Sequence, residues 1–407
     1  MVVLSGAALV LPDRMLSPGT LVIDGDRIAD IRADTAAGHG SALFHGHYIV
    51  PGFIDVHVHG VEAVDTLDGP NAVARIARRL PRYGVTGFCP TTVACGPAAL
   101  RDVLDQVRQA RQAPAPQSAR VLPAHLESNF INPEYRGAQP ASCLRSPRGA
   151  RSVASTAREP SAEGSAFSAQ DILDEIVRAE PDVAIVTIAP ELDGGLELVA
   201  TLTSRGHRVS LGHSAATYDE ALAAIAAGAT QATHLFNRMP PLHHRAPGLA
   251  GAVLQTEEVA AEIICDGFHV HPALVRAAIA AKRPSKILAI TDASAAAGLP
   301  VGSRARLGGQ EIVAGEAAAH LADGTLAGST LTMDRAFRML IDRIGLSPVD
   351  AALVCATTPA RELGLVGHGV LKPDAVADVV VLDSEFRVVQ TYVAGQLIYA
   401  RTQNPEP

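Results

Sequence analysis

Short apolar runs alternate with helical stretches over most of the chain. The helical stretches are rich in Ala and Arg and cover residues 72–82, 99–110, 171–179, 195–205, 218–226 and 272–281. Eight apolar runs with strand character lie at 49–56, 85–93, 119–126, 183–189, 207–212, 229–235, 260–265 and 286–291. Eight β/α alternations predict an α/β fold with a TIM (β/α)8 barrel, whose active site lies at the C-terminal ends of the strands.

Both ends of the chain have a different pattern, in which short strands are separated by tight turns. The first 48 residues and residues 371–407 each hold strand-turn series too short to bury a core alone. We therefore expect the two ends to pair as one small β-sandwich domain. The predicted division is 1–48 with 371–407 for this domain, and 49–370 for the barrel.

Composition excludes several classes of protein. With 407 residues, 48% hydrophobic and 19% charged, the chain can bury a large core. A net charge of −8, without a long single-sign run, argues against a general nucleic-acid or membrane binder. No signal peptide or membrane helix is recognisable. Five scattered cysteines without a CxxC pair are typical of reduced thiols in a cytoplasmic protein.

Metal-ligand residues follow the predicted strands. His57 and His59 end the first run and, being two apart on a strand, point to the same side. Single residues of the same kind follow runs three, five, six and eight: Glu127, His213, His234 and Asp292. Imidazole and carboxylate together suit Zn²⁺ and other first-row divalent ions. A lone HxH is weak, since His269 and His271 form a second one, so the prediction rests on the shared position at strand ends.

The motifs around these residues resemble the amidohydrolase superfamily and, within it, the N-acetylglucosamine-6-phosphate deacetylases. The resemblance covers nearly the whole chain and is carried by PGFIDVHVHG from residue 51, HLE from 125, GHS from 212, THLFN from 233, DGFHVHP from 266, TDA from 291 and LAGSTLTM from 326. It implies a distorted barrel with a flanking β-sandwich. It also implies that Glu127, His213 and His234 hold a catalytic ion, and that His57 and His59 allow a second one.

The resemblance further implies the roles of other residues. Asp292 would take a proton from metal-bound water and pass it to the departing amine, although an Asp at this turn could instead cap a following helix. Metal-dependent release of acetate from an N-acetyl-hexosamine 6-phosphate, above all N-acetylglucosamine 6-phosphate, would be the reaction. Substrate contacts would come from Asn237, His269 and Arg245, the last reaching the neighbouring active site of a homodimer.

Three positions depart from the family pattern. Ser128-Asn129 replaces Gly-Pro, Gln139 replaces a sugar-contacting His, and Arg238 replaces a small residue. Gln139 could still bond a hydroxyl, and Arg238 could add a second cation for a more anionic substrate or point to solvent. Two other functions stay open: hydrolysis of a different N-acyl amino sugar, N-acyl amino acid or cyclic amide, and a silent barrel that senses amino sugar phosphates. The Arg-, Ser- and Pro-rich segment 144–168 has no assigned role; we expect a mobile excursion on the active-site face.

Overall fold

The computed structural model describes residues 1–34, 44–149 and 167–402. Its strands in chain order are β1 (Val2–Val10), β2 (Met15–Asp24), β3 (Arg27–Ala33), β4 (Tyr48–Pro51), β5 (Phe53–Val58), β6 (Gly60–Val61), β7 (Val64–Asp65), β8 (Val85–Thr92), β9 (Arg120–Val121), β10 (Ala124–Leu126), β11 (Val183–Ile188), β12 (Arg208–Leu211), β13 (Gln231–Ala232), β14 (Ala260–Ile264), β15 (Ile287–Ile290), β16 (Arg304–Leu307), β17 (Gln310–Ala314), β18 (Ala318–His320), β19 (Leu326–Ser329), β20 (Val379–Leu382), β21 (Val388–Val393) and β22 (Gln396–Ala400).

The α-helices of the described residues lie between consecutive barrel strands or follow the last of them along the chain. They are α1 (Ala72–Arg79), α2 (Pro97–Gln112), α3 (Ala169–Arg178), α4 (Gly195–Ser204), α5 (Tyr218–Ala226), α6 (Gly248–Gln255), α7 (Pro272–Lys282), α8 (Met333–Met339), α9 (Pro348–Ala352) and α10 (Thr358–Glu362). Each of the six predicted helical stretches overlaps one of them. Among the described residues, no helix combines the length and the apolar character needed to cross a bilayer.

Eight parallel strands form the barrel, in the order β5-β8-β10-β11-β12-β13-β14-β15. Main-chain bonds close it beyond the last strand: the Asp292 N–H donates to the His57 carbonyl at 3.0 Å, and the His59 N–H donates to the Ala293 carbonyl at 2.9 Å. Because closure occurs at these residues, the ends of the first and last strands are brought together at the predicted site. The predicted fold class is confirmed.

Strands from both termini form one seven-stranded sheet, in the order β22-β21-β20-β4-β1-β2-β3. Strand β4 is parallel to β1 and antiparallel to β20, so it joins the two ends of the chain. The first predicted run is therefore divided: β4 lies in the terminal sheet and β5 in the barrel. Gly52 separates them, and a Cβ there would lie 2.2 Å from Thr86 Oγ1. The exact bounds of two domains stay a prediction.

One further sheet lies between the last barrel strand and the C-terminal helices. Strands β16 to β19 pair antiparallel in sequence order and bury a small core that includes Leu307, Ile312 and Ala327. The sequence analysis assigned no strands to residues 304–329, since the runs there are short and interrupted by Gly. This sheet contributes Leu307, Leu326 and Gly328 to the cavity described below.

Candidate metal centre

Six side chains converge at the C-terminal end of the barrel. Glu127 Oε1 lies 2.8 Å from His213 Nε2 and 2.8 Å from His234 Nε2, and these three residues form one candidate metal group. A second group consists of His57, His59 and Asp292, in which Asp292 Oδ1 lies 3.4 and 3.3 Å from the two Nε2 atoms. The groups adjoin, since Glu127 Oε2 lies 3.4 Å from His59 Nε2. The structure thus brings together all the predicted ligands.

Three of these residues have a left-handed backbone. The φ angles are 48° at His213, 29° at His234 and 49° at Asp292. Residues other than Gly rarely adopt such angles, which cost energy and cluster at functional sites. Here the unusual backbone lies two residues after the end of a barrel strand, and each of the three side chains joins one of the candidate metal groups. These backbone angles are not indicated by the sequence pattern.

The orientation of the imidazoles suits a cation in the centre. His213 Nδ1 donates to the Tyr135 carbonyl at 2.7 Å, so a neutral ring presents the lone pair of Nε2 to the Glu127 carboxylate. Two acceptors at that distance repel unless a proton or a metal ion lies between them. The same holds for His57, whose Nδ1 faces Glu262 while its Nε2 faces Asp292. The donor set therefore fits a divalent ion with imidazole and carboxylate ligands.

Electrostatic interactions within the cluster agree with this arrangement. Burial alone would raise the pKa of Glu127, but His213 and its neighbours hold that pKa well below the ordinary value. Burial alone would lower the pKa of His59, but hydrogen bonds with Asp292 and Glu127 raise it to about 10. The metal-free site therefore holds protons on imidazole nitrogens. A bound ion must displace them, which makes metal affinity increase with pH.

Asp292 is ionised within this cluster. Burial would raise its pKa, but the imidazoles of His57 and His59 lower it below the ordinary value of an Asp. The alternative role as a helix cap is wrong, because the next regular element after β15 is strand β16, which begins at Arg304. Asp292 also lines the adjoining cavity, so its carboxylate can exchange a proton with a bound molecule.

The three residues near Glu127 that depart from the family pattern form hydrogen bonds within the protein. Gln139 is 5% exposed; its Nε2 donates to Glu127 Oε2 and its Oε1 accepts from the Ala94 N–H at 2.7 Å. Ser128 Oγ donates to the Thr187 carbonyl at 2.5 Å. Asn129 Nδ2 donates to the carbonyls of Cys95 and Cys143 at 2.8 and 2.7 Å. These residues support the fold around Glu127.

A cavity of about 440 Å³ opens onto the cluster. Four predicted substrate residues line it, namely Asn237, Arg238, His269 and Gln139. The His269 ring bonds Asp266 through Nδ1 at 2.6 Å. His271 instead caps helix α7, with Nδ1 accepting the Ala273 N–H at 3.2 Å. Arg245 is exposed on the loop after Met239, beside His244 at 2.9 Å, and does not line the cavity of its own chain.

Glu262 is a residue of the centre that the sequence analysis missed. It lies in the middle of β14, is fully buried, and bonds His57 Nδ1 at 3.0 Å. A signal was present, because a carboxylate inside an apolar strand run is costly without a partner. The run Ala-Ala-Glu-Ile-Ile was interpreted only as strand.

The segment 144–168 is described only at its ends. Arg148 pairs with Asp193 at 2.6 Å, and the Arg145 guanidinium lies 3.7 Å from the centre of the Phe167 ring. These two arginines have structural partners. Arg151 and Arg158, as well as the predicted excursion itself, lie outside the described residues.

Known proteins share this architecture. The family model described as "Amidohydrolase family" matches residues 48–398. N-acetylglucosamine-6-phosphate deacetylase of Rattus norvegicus is 37% identical, covering 98% of this chain and 94% of the relative. N-acetylgalactosamine-6-phosphate deacetylase of Escherichia coli O157:H7 is 36% identical, with coverages of 86% and 87%.

A solved structure extends the comparison. It is a mutant N-acetyl-D-glucosamine-6-phosphate deacetylase from Mycobacterium smegmatis in complex with N-acetyl-D-glucosamine-6-phosphate, with a TM-score of 0.85, 32% identity and coverages of 98% and 99%. The family match, the near-complete coverage and the buried imidazole–carboxylate centre agree. The chain therefore belongs to the amidohydrolase family and is a hydrolytic enzyme.

Proposed function

We propose that the protein is a metal-dependent deacetylase of N-acetyl-hexosamine 6-phosphates, with N-acetylglucosamine 6-phosphate as the principal substrate. The observation that carries this proposal is the meeting of Glu127, His213 and His234 with Asp292 at one end of a polar cavity. The relatives described above, deacetylases of N-acetylglucosamine 6-phosphate and N-acetylgalactosamine 6-phosphate, support this substrate class. The products would be acetate and the free amino sugar phosphate.

We propose Zn²⁺ as the native ion, held by Glu127, His213 and His234, with a second ion held by His57 and His59. Ions of Fe, Mn or Co would also be compatible with these imidazole and carboxylate ligands. Glu127 faces both groups through its two oxygens, so it would offer a ligand to an ion in either group. When bound, such an ion lowers the pKa of a water molecule to about 7 and polarises the acetyl carbonyl.

Proton transfer is the proposed task of Asp292. Its carboxylate is ionised, borders the cavity and can accept one proton from the attacking water. The water oxygen bonds to the acetyl carbon. Asp292 then returns the proton to the amide nitrogen, the C–N bond breaks, and the amine leaves as a neutral group.

Substrate binding is assigned to the polar residues of the cavity. Arg238 has no hydrogen-bond or ion-pair partner for its guanidinium among the described residues, although it is half-buried and lines the cavity. A guanidinium in that position favours an anionic group such as phosphate. Asn237, His269 and Gln139 would complete the sugar contacts. Arg245 would reach the neighbouring site in a homodimer, since it does not line its own cavity.

The decisive experiment is an acetate-release screen. N-acetylglucosamine, N-acetylgalactosamine and N-acetylmannosamine are compared with and without the 6-phosphate, using metal-loaded enzyme. We expect turnover of the glucosamine phosphate to exceed that of every unphosphorylated sugar. Equal turnover of unphosphorylated amides would favour the broader amidohydrolase alternative. Binding of sugar phosphate without acetate release would favour the sensor.

The arginines can be tested separately. Loss of a hydrogen bond to a charged group costs about 1.5–3 kcal/mol, so Arg238→Ala and Arg245→Ala should each lower kcat/KM for the phosphorylated substrate about 10- to 150-fold. Values for an unphosphorylated N-acetyl sugar should barely change. Arg14→Ala is the matched control, because Arg14 is exposed and its guanidinium pairs only with neighbouring Asp13 among the residues that the structure describes. An equal loss on both substrates would contradict phosphate recognition.

We further propose a reduced, cytoplasmic setting. All five cysteines are free, and four of them are buried. Buried thiols without partners are typical of proteins in reducing compartments. The proposed domains are 1–48 with 371–407, and 49–370.

A further inference from the structure

Glu262 is placed at the back of the metal centre without being one of the expected ligands. Both it and His57 are fully buried, and the carboxylate accepts from His57 Nδ1 at 3.0 Å. Its other oxygen accepts from Gln231 Nε2 at 2.6 Å. The His234 N–H approaches it at 3.4 Å. The carboxylate of Glu262 is thus satisfied by groups from two barrel strands, His57 of β5 and Gln231 and His234 in or just after β13.

The bond fixes which nitrogen of His57 can bind an ion. A carboxylate only accepts, so the proton of His57 must lie on Nδ1. The lone pair of Nε2 then points to the space shared with His59 Nε2, at 3.2 Å, and Asp292 Oδ1, at 3.4 Å. Ring tautomer and ring orientation are both set by Glu262.

The other three imidazoles have no comparable support. His213 Nδ1 donates to a neutral carbonyl, and Nδ1 of His59 and of His234 has no hydrogen-bond partner within the described ranges 1–34, 44–149 and 167–402. Among the described residues, His57 is thus the one of these four imidazoles whose Nδ1 is paired with a carboxylate. A carboxylate on the outer nitrogen makes an imidazole a stronger ligand.

We propose that Glu262 is a positioning residue for His57, which holds the ring so that Nε2 faces the place of the second ion proposed above. This inference rests on the proposed function and on that second ion, and it adds the residue that orients one of the ion's ligands. Stability alone does not explain a buried carboxylate in an apolar strand, because well-packed apolar residues usually serve as well or better. A role of Glu262 in orienting the ligand His57 does explain it.

The test measures metal stoichiometry and affinity rather than activity. Wild-type protein and Glu262→Gln are stripped by chelation, dialysed against graded Zn²⁺ buffered by a competing chelator, and analysed for bound zinc. We expect two ions on the wild type. The conservative variant keeps the volume and an acceptor but loses the charge. The site at His57 and His59 should lose about 10- to 100-fold in affinity, the range typical of outer partners of metal ligands, while the site at Glu127, His213 and His234 stays unchanged.

A matched control separates metal support from general stability. Asp378 is another buried carboxylate, bonded to His368 and Arg120 far from the centre. Asp378→Asn should lower the melting temperature without changing the zinc stoichiometry. Glu262→Ala, which also removes the acceptor, should weaken the second site further than Glu262→Gln does.

Three results would overturn the proposal. They are a folded Glu262→Gln protein with both affinities of the wild type, an equal loss at both sites, and a wild type that binds one ion at saturation. The last result would leave the deacetylase proposal intact if acetate is still released. Conversely, a protein that loads two ions, responds to Glu262→Gln as expected and releases no acetate would refute only the function.

Discussion

Gly137 leaves the space in which the Arg238 side chain lies. Its φ is +59°, and a Cβ built on it would lie 2.6 Å from Arg238 Nε and 3.0 Å from Cζ. Ordinary contact begins at 3.4 Å, so in Gly137→Ala the guanidinium must retreat by about 0.8 Å. The end of an Arg side chain moves easily, so the clash is relieved by displacing the group proposed to bind phosphate.

Two separate effects follow from this substitution. A left-handed Ala costs about 1–2 kcal/mol of stability. Displacing the guanidinium forfeits a charged hydrogen bond of about 1.5–3 kcal/mol, so kcat/KM for N-acetylglucosamine 6-phosphate should fall about 10- to 150-fold. Gly69→Ala controls for the backbone effect, because Gly69 has φ +72° and nothing within 4 Å of its Cβ position.

A double-mutant cycle measures the coupling. Gly137→Ala, Arg238→Ala and the double variant are compared for kcat/KM with phosphorylated substrate and for the midpoint of denaturant unfolding. The double variant should be no slower than Arg238→Ala alone, since the group that Gly137→Ala displaces is already absent. Strictly additive losses, or a Gly69→Ala enzyme with the same loss in kcat/KM, would refute the reasoning.

Three further predictions concern catalysis, packing and pH. Asp292→Asn should lower kcat about 10²- to 10⁴-fold while the ion at Glu127, His213 and His234, measured by elemental analysis, is retained; unchanged kcat would exclude Asp292 as the proton acceptor. Gly52→Ala should lower the free energy of unfolding by about 1–3 kcal/mol because its Cβ would overlap Thr86, and Thr86→Ser beside it should recover part of that loss. Burial alone would raise the pKa of Asp383, but bonds from the Arg387 main chain and neighbouring guanidinium groups lower it to about 2. A lowered pKa stabilises the folded state above about pH 4, and this contribution is lost as the pH falls towards 2. Asp383→Asn should therefore cost about 1 kcal/mol at pH 7, after allowance for solvent screening, and nothing near pH 2; a pH-independent difference in unfolding midpoints would contradict this.

The strand ends and their ligands could be predicted from the sequence because both depend on local pattern. Apolar runs ending in His57, Glu127 or Asp292 place polar groups at one edge of a parallel barrel, whatever the details of packing. The break at Gly52 could not be predicted in this way. Residues on both sides of it are apolar and extended, and only their partners, β20 and β8, distinguish the two sheets.

Other features depend on contacts between distant residues. The pairing of Glu262 with His57 joins positions 205 residues apart, and nothing near either residue indicates it. The left-handed backbone of His213 and His234 likewise accompanies their placement around the shared carboxylate of Glu127, and residues other than Gly adopt such angles uncommonly. The sequence shows that Gln139 departs from the family pattern, but not that it bonds Glu127. That bond requires the segment between the two residues to fold back onto the strand end.

Strand β4 has a consequence for how the polypeptide matures on the ribosome. One edge of β4 pairs with β1, and the other edge pairs with β20. The first residue of β20 follows the last residue of β4 by 328 positions, so this second edge stays unpaired until β20 has been synthesised. At about 5–20 residues per second, roughly 16–66 s of translation separate the two. During that interval β4 presents unpaired backbone N–H and C=O groups on one edge, and such an edge can pair with another growing chain unless a chaperone covers it.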